Sequence, residues 1–175
     1  TSIQIASDGF ARISYYDESN KDLKFARCLN DGCTSKNLTI IDGASPVKDI
    51  GQFSSMMLGA DQFGRISYYT ISNGDLKFAR CLDADCTSKN ITTVDSTGDV
   101  GKYTSIVLGS DGFARISYQD ETNDDLKFAR CTNVDCSSSV ITLVDSAGDV
   151  GSLKSGIGLG SDGFAQISYF DDTSD

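Results

Sequence analysis

The sequence predicts an all-β chain built from tandem four-stranded antiparallel units of about 50 residues each. Three observations carry this. A motif returns four times, as "SDGFARISYYD" at 7–17, "ADQFGRISYYT" at 60–70, "SDGFARISYQD" at 110–120 and "SDGFAQISYFD" at 161–171. Its markers Asp8, Asp61, Asp111 and Asp162 are spaced 53, 50 and 51 residues apart. The heptapeptide "DLKFARC" returns unchanged at 22–28, 75–81 and 125–131. No stretch sustains a helical apolar period, whereas short alternating runs broken by Gly, Asn and Asp recur along the chain.

Each unit reads as four strands in fixed order. The first, as in "SIVLG" at 105–109, is apolar and closed by glycine. The second, "FARISYY" at 10–16, alternates, with Ala11, Ile13 and Tyr15 on one face and Phe10, Arg12, Ser14 and Tyr16 on the other. The third, "LKFARC" at 23–28, sets Leu23, Phe25 and Arg27 on one side, and the fourth, "NITTVD" at 90–95, is rich in β-branched residues. Turn chemistry separates them: Ser-Asp-Gly, then Ser-Asn-Gly-Asp or Asn-Asp-Asp, then a cysteine loop, then a turn containing Asp-(Val/Ile)-Gly. The units are assigned to 1–53, 54–103 and 104–154, with the first two strands of a fourth at 155–175.

With this period and strand order the units resemble the tandem β-propeller blade repeats of secreted bacterial and archaeal proteins, over the whole chain. The resemblance implies propeller-type blades, set either in part of a closed ring or in an open superhelical array. Thr1 begins at a first strand and Asp175 falls where the next "DLKFARC" is due, so the chain is expected to be an excerpt of a longer array. The sialidase Asp-box, Ser-x-Asp-x-Gly-x-x-Trp, is only approached by "DVGKY" at 99–103 and "SDGF" at 110–113.

The 175 residues are 39% hydrophobic and carry a formal charge of −10, enough apolar content for a core and a charge that repels nucleic acid and anionic membranes. No apolar run is long enough to span a bilayer, so no membrane insertion is expected. There is no His, which removes the usual general base and the commonest transition-metal ligand, and no Trp to stack on sugars.

Six cysteines fall as three Cys-x4-Cys pairs, and their equal number per unit favours the local disulfides Cys28–Cys33, Cys81–Cys86 and Cys131–Cys136. Each closes a loop contributing roughly 2 kcal/mol in the chain-entropy model and implies an oxidising, extracellular or cell-surface setting. A thiolate metal site using Asp85 and Asp135 is the alternative, but two thiols per unit without His make a poor cage. No cofactor is expected, with calcium as the one weighed against it: Asp95 with Asp99, Asp145 with Asp149, and Asp42 with Asp49 recur around Gly-containing turns, which Asp and Gly also form on their own.

Arg12, Arg65 and Arg115 sit inside a strand expected to be buried, where structural ion pairs to acidic turn residues are required; Gln166 replaces them in the last unit. Lys24, Lys77 and Lys127 are read as lining a solvated edge. Asn37-Leu-Thr and Asn90-Ile-Thr are glycosylation sequons at equivalent positions.

What recurs is what a blade needs, while departures such as Pro46 and the Met56-Met57 pair form no catalytic constellation. The expected function is a non-enzymatic structural or adhesive repeat protein of a cell-surface fibre, with neighbouring blades of the same or an identical chain as partners. The alternative is a glycan-binding propeller using Tyr15, Tyr16 and Asp17, and a sialidase-like hydrolase ranks last.

Overall fold

The computed structural model describes residues 1–43 and 48–173; Pro46 and Asp175 lie outside them. Among the described residues every regular element is a β-strand. β1 (Ser2–Ile5), β2 (Ala11–Asp17), β3 (Asp22–Cys28) and β4 (Lys36–Asp42) form one antiparallel sheet in chain order. β5 (Ile50–Leu58), β6 (Gly64–Thr70), β7 (Asp75–Cys81) and β8 (Lys89–Asp95) form the second, and β9 (Val100–Leu108), β10 (Ala114–Asp120), β11 (Asp125–Cys131) and β12 (Ser139–Asp145) the third. β13 (Val150–Leu159) and β14 (Ala165–Asp171) pair as a fourth, two-stranded sheet.

Identical sequence gives identical register. Arg12 opposes Arg27, Arg65 opposes Arg80 and Arg115 opposes Arg130 across the central hairpins. The hairpin turn is fixed locally, because Asp17 Oδ1 accepts the Ser19 and Asn20 amides and Asp120 Oδ1 accepts those of Thr122 and Asn123.

The first strands of the second, third and fourth sheets start earlier than the sequence pattern suggests. β9 runs back to Val100, through the Asp-Val-Gly read as a turn, so the expected boundaries at 54, 104 and 155 fall inside β5, β9 and β13. The reason is a pair of register shifts, at Ile50/Gln52 and Gln52/Ser55 in β5 and at the matching places in β9 and β13. Gly51, Gly101 and Gly151 take positive φ there, as do Phe53, Tyr103 and Leu153. Such bulges increase local twist and bend the strand without ending it.

The core lies between sheets rather than within one. Leu23, Phe25 and Ile41 of the first sheet meet Ile50, Met56, Ile66 and Tyr68 of the second. Leu76, Phe78 and Val94 of the second meet Val100, Ile106, Ile116 and Tyr118 of the third. The Leu and Phe of "DLKFARC" are therefore each repeat's contribution to the next junction, worth about 2–3 kcal/mol apiece on burial. Exposure confirms the direction of packing: Ile41 is 2% exposed and Val94 9%, but the equivalent Val144, which no third and fourth strand of a following sheet covers, is 43% exposed.

Candidate functional site: the junction between sheets

Adjacent residues of a strand point to opposite faces, and the second strand of each unit uses this to address both neighbours. Tyr68, Tyr118 and Tyr169 reach back, donating to Asp42, Asp95 and Asp145 at the end of the preceding sheet, at 2.8, 2.8 and 2.6 Å. The next residues, Tyr16, Tyr69 and Gln119, reach forward to Asp49, Asp99 and Asp149, at 2.7, 2.6 and 3.2 Å. Burial, reinforced by the carboxylate partner, pushes the Tyr68, Tyr69 and Tyr118 hydroxyls well above the ordinary tyrosine range.

This arrangement redistributes three groups of sequence-predicted residues. The two carboxylates of each turn (Asp42 and Asp49, Asp95 and Asp99, Asp145 and Asp149) bind different side chains instead of converging on one point, and among the described residues no three His, Cys, Asp or Glu side chains are grouped to hold a metal. Tyr15 and Tyr16 face opposite ways, and Asp17 is engaged by Lys24 and Asn20, so the three do not line one glycan subsite. The lysines are not on a solvated edge, because β3, β7 and β11 are interior strands of their sheets: Lys24 pairs with Asp17 and Lys127 with Asp120, at 2.6 Å for the latter, within their own hairpins, and Lys77 pairs with Asp42 of the preceding sheet at 3.0 Å.

The cysteine loops form a second contact line. All three expected disulfides are present, and those of the second and third sheets close the loops that carry Asp85 and Asp135. Asp85 accepts from Arg27 Nη1 at 3.3 Å and Asn37 Nδ2 at 3.0 Å, while its carbonyl accepts from Thr39 Oγ1 at 2.7 Å. Asp135 repeats this with Arg80, Asn90 and Thr92, at 3.0, 3.1 and 2.8 Å. Burial raises the Asp135 pKa, but Asn90 and Arg80 outweigh it and hold the carboxyl below its usual range. Asn and Thr of each sequon thus serve the junction, and the Asn nitrogen that a glycan would need is already a donor. The cue available in the sequence was that Asp85 and Asp135 share a place with Gly32 in the first unit, as the one loop position that turns acidic where a preceding sheet exists.

The predicted arginine pairs are internal to each unit. Arg12, Arg65 and Arg115 contact Asp8, Asp61 and Asp111 four residues earlier, at 2.5, 2.6 and 2.7 Å. Arg65 also donates to the Phe63, Gly64 and Cys81 carbonyls, which ties the hairpin to the end of β7. Arg12 and Arg115 pull the Asp8 and Asp111 carboxyls down, so their contribution is full above the ordinary carboxylate range and fades as pH falls below it. In the fourth unit the Gln166 amide lies where the guanidinium lies elsewhere: a Cβ on Gly160 would meet Gln166 Nε2 at 2.9 Å, as one on Gly59 would meet Arg65 Nη2 at 2.8 Å. Arg65→Ala is accordingly expected to cost about 2 kcal/mol, and Arg65→Gln about half of that, in urea unfolding. Equal losses in the two variants would remove the hydrogen-bonding role.

Where the first strands of all four sheets converge, they line a groove of about 330 Å³. Buried hydroxyl pairs hold its walls together: Ser14 with Ser54 at 3.1 Å, Ser67 with Thr104 at 2.8 Å and Ser117 with Ser155 at 2.9 Å. Phe53 and Tyr103 face into it with ring centroids 4.5 Å apart, beside Lys154.

No family model and no curated protein matches the sequence. Among solved structures the chain is similar to a protein of unknown function from Dyadobacter fermentans DSM 18053, with a TM-score of 0.64 and 10% identity over 88% of this chain and 44% of that one. It is also similar to a fucose lectin from Kordia zhangzhouensis in complex with methyl-fucoside, with a TM-score of 0.47 and 15% identity over 81% of this chain and 95% of that one. The chain thus spans under half the length of the Dyadobacter protein, and at 10% identity that likeness is one of fold alone.

Proposed function

We propose that the chain is a non-enzymatic, extracellular structural module of propeller-type blades, in which each sheet is a recognition element for the next. One observation carries this reading: the same contacts recur from junction to junction, with hydroxyl to carboxylate bonds in both directions and the Asp of the cysteine loop gripped by Arg, Asn and Thr. Polar specificity is spent on orienting neighbours, where hydrogen bonds fix geometry and apolar burial supplies affinity. Local disulfides in every complete unit suit an oxidising, cell-surface setting.

The test is a head-to-tail fusion of two copies of the chain, imaged beside the single copy. The module reading expects one continuous body that grows by a fixed step per repeat, either along a superhelix or around a ring. Two independent particles on a tether would overturn it, as would turnover of a glycoside by either protein. A second reading, glycan binding, is favoured by the groove between the first strands, where aromatic rings stand beside hydroxyls. It requires that saccharide binding on a glycan array disappear in Tyr103→Ala while thermal stability is kept.

A further inference from the structure

The repeat is broken by one inserted residue where the first strands line their groove. β5 and β9 have 9 residues each, and β13 has 10. The contacts on either side locate the extra one. Ser155 bonds Ser117 as Thr104 bonds Ser67 and Ser54 bonds Ser14, while Leu153 takes the positive φ of Tyr103 and Phe53. Lys154 lies between, with no counterpart in the second or third sheet. It is exposed, it lines the groove, and among the described residues it makes no hydrogen bond or ion pair. That is notable in a chain carrying 25 Asp and Glu side chains, since five other lysines are paired with carboxylates.

The rest of the lining suits the same kind of ligand. It contains no Asp or Glu. Ser2 Oγ accepts the Met56 amide at 3.1 Å and Ser55 Oγ the Ile106 amide at 3.3 Å, so each hydroxyl keeps its own hydrogen to donate. An ammonium among hydroxyl donors calls for a ligand that is anionic and rich in acceptors. Phe53 and Tyr103, at φ of 53° and 52°, hold their rings in the groove from a left-handed backbone that large side chains seldom occupy. Apolar rings beside hydroxyls match a sugar, which offers a C–H face and oxygens together.

We propose that this groove binds an acidic sugar, a pyranose bearing a carboxylate such as a uronic acid residue, with Lys154 on the carboxylate and Phe53 and Tyr103 on the ring face. Ser2 and Ser55 donate to its oxygens. The assignment rests on the glycan reading of the groove and names the class of sugar. Ser155 Oγ donates to the Tyr103 carbonyl at 3.1 Å, which ties the inserted segment to the strand that carries the ring. A volume of about 330 Å³ is at the small end for ligand sites and fits a short saccharide.

Chemical-shift titration of the full chain with methyl galacturonide, and with its methyl ester, reads the charge alone because ring and hydroxyls are unchanged. The net charge of −10 opposes an anion, so a preference for the acid has to arise locally. The acid is expected to bind about fivefold more tightly than the ester at low ionic strength. Lys154→Gln should remove that advantage, Lys154→Arg should keep it, and Tyr103→Ala should weaken acid and ester alike. Should Lys154→Gln not fold, acetylation of the wild-type chain reads the same contact, with Lys154 protected by the acid and not by the ester. Equal affinity for acid and ester overturns the proposal and leaves the glycan reading standing, whereas binding of neither removes both. An acid preference that persists in Lys154→Gln, or acetylation of Lys154 unaffected by the acid, also overturns it.

Discussion

Gly101→Ala is expected to lower the stability of the chain by about 4 kcal/mol, a large loss for the addition of a single methyl group. Two costs combine. Gly101 has φ of +105°, a conformation L side chains rarely adopt. An added Cβ would also lie 2.7 Å from Leu76 Cα, 2.9 Å from Leu76 Cβ and 3.0 Å from Leu76 N, which is largely backbone and cannot swing away. Leu76 is fully buried between the second and third sheets, so relief requires the sheets to part and the core around Phe78, Val100 and Tyr118 to open. Gly51 meets Leu23 in the same way at the first junction, at 2.5 Å from its Cβ and 2.6 Å from its Cα. Gly112→Ala separates the two costs, because Gly112 has φ of +76° with nothing within 4 Å of the added carbon. It is expected to lose only about 1 kcal/mol. Guanidinium unfolding midpoints decide it, and equal losses in the two variants would mean that the inter-sheet approach costs nothing.

That glycine marks where the sequence could be read and where it could not. The period and the alternation of "FARISYY" are local, so the strands, the hairpin register and the cysteine pairing follow from them. Val100-Gly101 looks like a turn for an equally local reason, since Asp and Gly are what turns use. The glycine is needed instead because a neighbouring backbone, 25 residues earlier at Leu76, passes too close for a side chain. The same limit explains Lys77 and the sequons. Their partners, Asp42 for Lys77 and Asp85 for Asn37, lie 35 and 48 residues away across a junction. No window of one strand length contains both members. What the repeat did contain was correlation: Tyr precedes Tyr in two units and Gln in a third, and Lys21 and Lys102 never occur together in one unit. Departures from exact repetition, compared position by position, report on the junction more directly than the repeated residues do.

Alkaline conditions are expected to unfold the chain steeply. Tyr68 and Tyr118 are fully buried, and each donates its only hydroxyl hydrogen to a carboxylate at 2.8 Å, Tyr68 to Asp42 and Tyr118 to Asp95. Burial first, and then the adjacent negative charge, push both hydroxyls far up in the folded state. A raised folded pKa stabilises in full below the unfolded value and is lost as pH rises through it, because the unfolded chain releases its protons first. Above about pH 10, where unfolded tyrosines ionise, two such groups remove about 2.7 kcal/mol of stability for each further pH unit. Tyr118→Phe should lower the slope by about 1.4 kcal/mol per pH unit. At neutral pH it should still cost about 1–3 kcal/mol, since Asp95, itself 6% exposed, keeps the Thr97 amide at 3.1 Å on Oδ1 but is left at Oδ2 with Lys127 at 3.8 Å. Tyr68→Phe should cost less at neutral pH, because Asp42 retains Lys77 at 3.0 Å. Brief guanidinium unfolding between pH 8 and 11, with tyrosinate absorbance followed in parallel, separates the outcomes. The junction tyrosines should ionise only as the sheets come apart, so a folded chain whose every tyrosine titrates near the free value would show that these hydroxyls are not what joins one sheet to the next.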